Sequence, residues 1–186
     1  MTLRTWVLVV AIAVASGTSG VAKQIAGPQR EPDVIFVPTP PDVVDAMLKL
    51  AKVTASDVVY DLGSGDGRIP IAAAKTYGAR GVGIDIDPER VREATGNARS
   101  NGVADKVTFR TEDLFTADIS PATVVTLYLL PTLNLKLAGK LMADLKPGTR
   151  IVSHAFDMGD WKPQQTQTIS GRSIYLWTIP QPGQRR

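Results

Sequence analysis

The sequence predicts an α/β fold: a doubly wound, mostly parallel sheet that ends in an antiparallel β-hairpin. Three observations predict it. Short β-branched runs alternate with stretches of helical apolar spacing from residue 42 to residue 145. The first of those runs stops at a cluster of glycines, Gly63, Gly65 and Gly67, which leads into a helix. Beyond Ser153 the helical signal is lost, and two strand-like runs flank Ser170-Gly171-Arg172.

Residues 1–22 stand apart from the rest. Arg4 is the only charge before Lys23, Trp6 to Ala15 is an unbroken apolar run, and small residues follow from Ser16 to Ala22. That is the n-, h- and c-region order of a secretory signal, and the apolar run is shorter than the roughly 20 residues that span a bilayer. A signal peptide or membrane anchor is therefore expected, with an exported (periplasmic or extracellular) or membrane-anchored protein. A cytoplasmic one is the alternative if the start lies upstream of the true domain. Residues 23–40, with Pro28, Pro32, Pro38 and Pro40, are expected to form an extended lead-in, because proline disfavours helix at the residue before it.

The domain is expected over 41–180. Val43, Val44, Met47, Leu48 and Ala51 recur at helical spacing between Asp42 and Lys52, and Asp57 to Leu62 follows as a buried strand. Ile69 to Tyr77 is Ala-rich and helical, Gly81 to Ile86 is a strand, and Pro88 to Ser100 is a helix with proline in its first turn. Lys106 to Arg110 and Thr123 to Leu129 are strands. Leu133 to Leu145 is a helix closed by Pro147-Gly148, and Arg150 to Ser153 is a fifth strand. Thr166 to Ile169 and Ser173 to Ile179 make the hairpin, and 181–186 reads as a disordered tail. Alternation of this kind implies right-handed crossovers.

Composition narrows the chemistry. With 186 residues, 44% of them hydrophobic, the chain holds one domain and no separate recognition domain. The net charge of +3 is small and scattered, which argues against a nucleic-acid partner. Having no cysteine excludes disulfides, thiolate metal sites and cysteine nucleophiles, and the single histidine, His154, excludes a His-pair metal site. No metal is expected.

The strongest motif is Asp61-Leu62-Gly63-Ser64-Gly65-Asp66-Gly67-Arg68, between the first strand and the helix after it. Glycines at alternating positions let backbone turn sharply and approach a ligand. In a dinucleotide fingerprint the third glycine falls three residues after the second, a position held here by Arg68. Asp61 and Asp66 would repel a pyrophosphate but suit a ligand bearing an ammonium and a sulfonium. The cofactor expected is therefore S-adenosylmethionine rather than NAD. Asp85 lies about twenty residues on, the distance at which an acid accepts from ribose hydroxyls, and Ile86 can pack on adenine. As a strand-end carboxylate facing an open cleft, Asp85 is expected to contribute little to ligand-free stability. After the third strand, Glu112-Asp113-Leu114 offers a carboxylate for the adenine amine and an apolar cover for the ring. Ligands bind at such carboxyl ends in doubly wound sheets.

From about Asp57 to Leu130 these residues resemble class I S-adenosylmethionine-dependent methyltransferases, which have a Rossmann-like fold. A narrower resemblance is to the small protein-lysine methyltransferases that modify the c-subunit of ATP synthase and the adenine nucleotide translocase. It rests on Phe36-Val37-Pro38-Thr39-Pro40, Asp61 to Arg68, Tyr128-Leu129-Leu130-Pro131, and Trp161 followed by Pro163. His154 departs from the pattern, standing where a glycine is expected. The resemblance implies that Asp61, Gly63, Gly65 and Gly67 hold the methionine moiety, with Asp85 on ribose and Asp113 on adenine. Thr39 is available for a ligand carboxylate. Tyr128, Leu130 and Pro131 would face the acceptor, with Tyr128 the candidate catalytic residue, although it reads equally as a core-edge aromatic. The implied partner is a protein, methylated on lysine. Members of this family also carry an N-terminal hydrophobic segment, which implies membrane association.

An acceptor amine must lose a proton before it attacks, and Asp66, Glu112 and Tyr128 are the candidate neighbours. His154 reads as a hydrogen-bonded strand-end residue, and Trp161 and Trp177 as packing residues. Two rival functions stay open: a cofactor-binding scaffold without catalysis, and an NAD-dependent oxidoreductase.

Overall fold

A computed structural model describes residues 31–183. The signal or anchor expected over 1–22 and the last three residues of the tail lie outside the described residues. Residues 31–40 run without helix or strand into α1 (Pro41–Leu50), whose leading proline loses nothing because a first-turn N–H has no intrahelical partner. There follow β1 (Val58–Leu62), α2 (Arg68–Tyr77), β2 (Arg80–Asp85), α3 (Pro88–Ser100), β3 (Val107–Thr111), β4 (Val124–Leu127), α4 (Pro131–Asp144), β5 (Arg150–His154), β6 (Gln165–Ile169) and β7 (Arg172–Thr178). Every expected element is present within a residue or two. Among the described residues no helix is long and apolar enough to cross a membrane.

The seven strands lie in the order β3-β2-β1-β4-β5-β7-β6. β1 to β5 are parallel, β7 is antiparallel to β5, and β6 is antiparallel to β7. The hairpin therefore enters by its second strand. Ile174, Leu176 and Trp177 of β7 are buried, whereas β6 is Gln-Thr-Gln-Thr-Ile and almost wholly exposed. A strand that polar belongs at the sheet edge, and the apolar one takes the interior place.

Side-chain alternation along β1 divides the core. Val59 joins a cluster with Val43, Val44, Met47 and Leu48 of α1 and Ile69 and Ala73 of α2. Tyr60 and Leu62 face the other way, into a cluster with Leu137 and Leu141 of α4 and Trp177. The Trp177 indole N–H donates to the Trp161 carbonyl at 2.7 Å, so both tryptophans are packing residues.

At the amino-terminal ends of the strands Asp57 ties three segments together. It accepts from Thr123 Oγ1 at 2.7 Å and Thr54 N–H at 2.8 Å, and pairs with Arg150, which also donates to the Ala51 carbonyl at 2.6 Å. Burial pushes the Asp57 carboxyl up, but the Thr123 and Thr54 hydrogen bonds and the Arg150 charge outweigh it and hold the group below its ordinary value.

Candidate active site

The strand order reverses direction between β1 and β4, and the loops leaving β1, β2, β3 and β4 diverge there to leave a cleft. A cavity of about 500 Å³ occupies it, and a strap of residues 32–39 crosses its mouth. That volume suits a cofactor-sized ligand.

Gly63, Ser64, Asp66 and Arg68 of the glycine loop line the floor, whereas Gly65 and Gly67, expected on the cofactor, do not line the cavity. Gly63 and Ser64 both donate to the Ile84 carbonyl, at 2.8 and 3.0 Å, and Gly67 donates to Ser64 at 2.8 Å. Gly65 has φ +51°, and a Cβ there would lie 2.1 Å from the Phe36 ring, so strap and loop touch where only hydrogen fits. Phe36 also lies under Arg90 of α3, 5.2 Å from guanidinium to ring centre. Gly83, one strand over, leaves room for Phe109 and for Ser64. Ser64 Oγ is buried with no hydrogen-bond partner.

Asp85 lines the cavity, and the structure gives it a second task. Its Oδ2 accepts from Gly65 N–H at 2.8 Å and its Oδ1 from Asp87 N–H at 3.0 Å. The expectation that it contributes little to ligand-free stability is corrected, because this carboxylate holds the glycine loop to the start of α3. Two backbone donors, the Gly65 and Asp87 N–H groups, are satisfied by it.

Asp61 is 3% exposed, and Thr126 Oγ1 donates to its Oδ1 at 2.6 Å. Burial pushes its pKa up to about 7, and the negative charges of Asp85 and Asp66 add to the effect. Asp66 is held by Arg68, whose Nε lies 3.0 Å from Oδ1 and whose Nη2 lies 2.6 Å from Oδ2. The same guanidinium donates through Nη1 to the Thr39 carbonyl at 2.8 Å, clipping the strap to the loop. Arg68, treated in the sequence only as a missing glycine, is thus part of the site.

Thr39 lines the cavity, with its hydroxyl 3.2 Å from His154 Nδ1. Ile86, Asp113 and Leu114 line its far end, and Asp113 Oδ1 accepts from Phe115 N–H at 2.9 Å. On the β4 side the wall is Tyr128, Leu129 and Leu133. Leu130 and Pro131 do not join it. The strand ends at Leu127 and α4 begins at Pro131, so this turn points Leu130 and Pro131 outward, with Leu130 46% exposed. Leu133 returns to the wall one helical turn on from Leu129, a periodicity that was legible but depended on where the helix starts. Of the three candidate proton acceptors only Asp66 and Tyr128 reach the cavity, while Glu112 pairs with Arg110 at 3.4 Å. Among the described residues no group of acids and histidine is placed to hold a metal ion.

Six aspartates line the cavity, Asp33, Asp61, Asp66, Asp85, Asp87 and Asp113, against Arg68 and Arg90. Ser64, Phe36, Arg90, Leu129 and Leu133 are wall residues that sequence reasoning did not select. Phe36, Ser64 and Leu129 stood inside the motifs quoted from the sequence, Leu133 was open to helical spacing, and Arg90 carried no signal.

Comparison with known proteins gives four methyltransferase matches. Residues 61–165 match the family model described as the ANTKMT methyltransferase domain. A protein-lysine N-methyltransferase of Saccharolobus islandicus is 46% identical over 153 residues, covering 80% of this chain and 95% of that protein. The human lysine N-methyltransferase named for the C subunit of ATP synthase is 32% identical, and the match covers 75% of this chain but 58% of the human protein. A crystal structure described as an RNA methyltransferase from Salinibacter ruber in complex with S-adenosyl-L-homocysteine is 62% identical. Its TM-score is 0.77, and the match covers 78% of this chain and 95% of that one.

Proposed function

We propose a function from the premise that this chain belongs to the ANTKMT methyltransferase domain family: it methylates a lysine side chain of a protein, using S-adenosylmethionine. The observation that carries the reading is the acidic cavity with a buried carboxyl, Asp61, at its floor. An anionic cofactor such as NAD would bring its pyrophosphate against these acids, whereas a cationic cofactor and a cationic acceptor are both attracted.

The residues present fit that cofactor. Asp61 answers an ammonium group and Arg68 a carboxylate. Asp85 has one lone pair on each oxygen left for hydroxyls after its two backbone bonds. Ile86, Leu114 and Asp113 suit a purine with an exocyclic amine. When bound, S-adenosylmethionine would supply an electrophilic methyl group on its sulfonium for a deprotonated acceptor nitrogen, with the neutral thioether as leaving group.

This chain's part is alignment and desolvation. Tyr128, Leu129 and Leu133 exclude water from the acceptor side, which lowers the pKa of an entering lysine and favours its neutral, nucleophilic form. Asp66 is engaged by Arg68, whose Nη2 lies 2.6 Å from Oδ2.

A second reading, methylation of RNA, is favoured by the description of the Salinibacter ruber relative. The acidic cavity disfavours it, since phosphates would approach the same aspartates. The test is transfer of labelled methyl from S-adenosylmethionine into a cell extract, with protease and ribonuclease arms. Label removed by protease, and recovered as methyl-lysine after hydrolysis, supports the protein reading. Label removed only by ribonuclease refutes it.

For the amino-terminal segment, Arg4, the Trp6–Ala15 run and the small residues after it support export or membrane association. A fusion of residues 1–30 to a reporter active only outside the cytoplasm tests this. A well-expressed but silent reporter refutes it.

A further inference from the structure

We propose that His154 is a positioning residue that couples the cofactor strap to the acceptor wall, bonding Thr39 through its ring edge and supporting Tyr128 with its ring face. The inference rests on the methyltransferase reading above. His154 closes β5, where pairing with Ile174 of β7 fixes its backbone, and its side chain is 1% exposed. Nδ1 lies 3.2 Å from the Thr39 hydroxyl. The imidazole and Tyr128 ring centres are 3.9 Å apart with their planes 35° from parallel, and Phe156 stacks near Tyr128 with centres 6.5 Å apart.

These contacts continue a chain that begins in the glycine loop. Arg68 grips Asp66 and the Thr39 carbonyl, Thr39 meets His154, and His154 bears on Tyr128. The cofactor side and the acceptor side of the site are thus linked by way of His154. Burial, and to a lesser degree the Arg172 charge, disfavours the imidazolium and holds His154 neutral. A neutral ring behind Tyr128 sets up no repulsion against an acceptor ammonium. A simple filler of the same volume would need neither the polar edge at Thr39 nor the face at Tyr128.

Two substitutions divide the two contacts. His154→Asn keeps an amide near the place of Nδ1 and removes the ring from Tyr128. His154→Phe keeps a ring and removes the bond to Thr39. The probes are S-adenosylmethionine, its demethylated product, and the protein extract that the wild-type chain labels.

For His154→Asn, cofactor affinity is expected to stay within about twofold, while the transfer rate at saturating cofactor falls about tenfold through a misplaced acceptor wall. For His154→Phe, affinity for cofactor and product is expected to weaken about fivefold, the effect of one neutral hydrogen bond, with a near-normal rate at saturation. Thr39→Val should repeat the second pattern, Thr39→Ser should restore affinity, and Thr39→Val with His154→Phe should be no worse than either alone.

Parallel losses of affinity and rate in both His154 variants, or additive effects in the double variant, overturn the proposal. If the His154 variants fail to fold, unchanged cofactor affinity in Thr39→Val overturns it by itself. A wild type that binds neither cofactor nor product refutes the methyltransferase reading instead. A wild type that binds while the variants fail to divide refutes this inference alone.

Discussion

Asp61→Asn removes a charge from the cavity floor and keeps an oxygen for Thr126 to donate to, so its effects isolate the charge. In the ligand-free protein burial, with Asp85 and Asp66, lifts Asp61 from 3.8 to about 7. That displacement corresponds to about 4 kcal/mol of work to ionise it there, a ceiling because water entering the cavity relieves part of it. The folded chain then holds a proton between about pH 4 and pH 7 that the unfolded chain has released. Wild-type stability without ligand is therefore full below that window and declines as pH rises through it, and the asparagine variant should lack this decline. An ammonium placed beside Asp61 reverses the balance and expels the proton. At pH 7 cofactor binding should release about 0.5 proton, and at pH 8 about 0.1, the protonated fractions of a group with that pKa. Titration calorimetry in buffers of different ionisation enthalpy reads this number directly. The asparagine variant should release none and should bind at least about tenfold more weakly, having lost a charge-assisted partner. Binding without proton release at pH 7, or equal release by the variant, would refute the assignment of Asp61 to a cationic group.

Asp85→Asn should weaken cofactor binding and also lower ligand-free stability by about 1–3 kcal/mol, because an asparagine cannot accept from both Gly65 and Asp87; unchanged melting would contradict this loop-holding role. Gly83→Ala would set a Cβ 2.4 Å from the Phe109 ring and 2.6 Å from Ser64 Oγ, so a loss of about 1–3 kcal/mol in urea unfolding is expected, and an unshifted midpoint would count against that packing. Asp57→Asn acts at the opposite end of the sheet and should leave cofactor affinity unchanged. Because Asp57 is held below 3.8, its stabilisation is present above about pH 4 and is lost as pH falls through its lowered value, so melting curves of wild type and variant should converge in acid. Curves that stay parallel down to pH 2 would refute that role.

Much of this protein was legible in the sequence because the signals are local. Apolar spacing of 3.6 or 2 residues marks each helix and strand, and α3, Pro88–Ser100, is bounded by an initial proline and an aspartate cap. The glycine loop, Asp85 and Asp113 could be placed at strand ends by spacing alone, and those ends share one side of a parallel sheet. Other features depend on which segments meet, and no local pattern carries that. The entry of β7 ahead of β6 follows from which strand must be buried. The outward turn of Leu130 and Pro131 follows from the residue at which α4 starts. The raised pKa of Asp61 requires the closed cavity, since desolvation exists only when the chain has excluded water from around the group. Arg68 as a clip, and Thr39 against His154 across 115 residues of sequence, arise only when the strap lies over the carboxyl ends of the sheet. Periodicity sets which face of each element is apolar, whereas contacts between distant side chains are decided by how those faces close on one another.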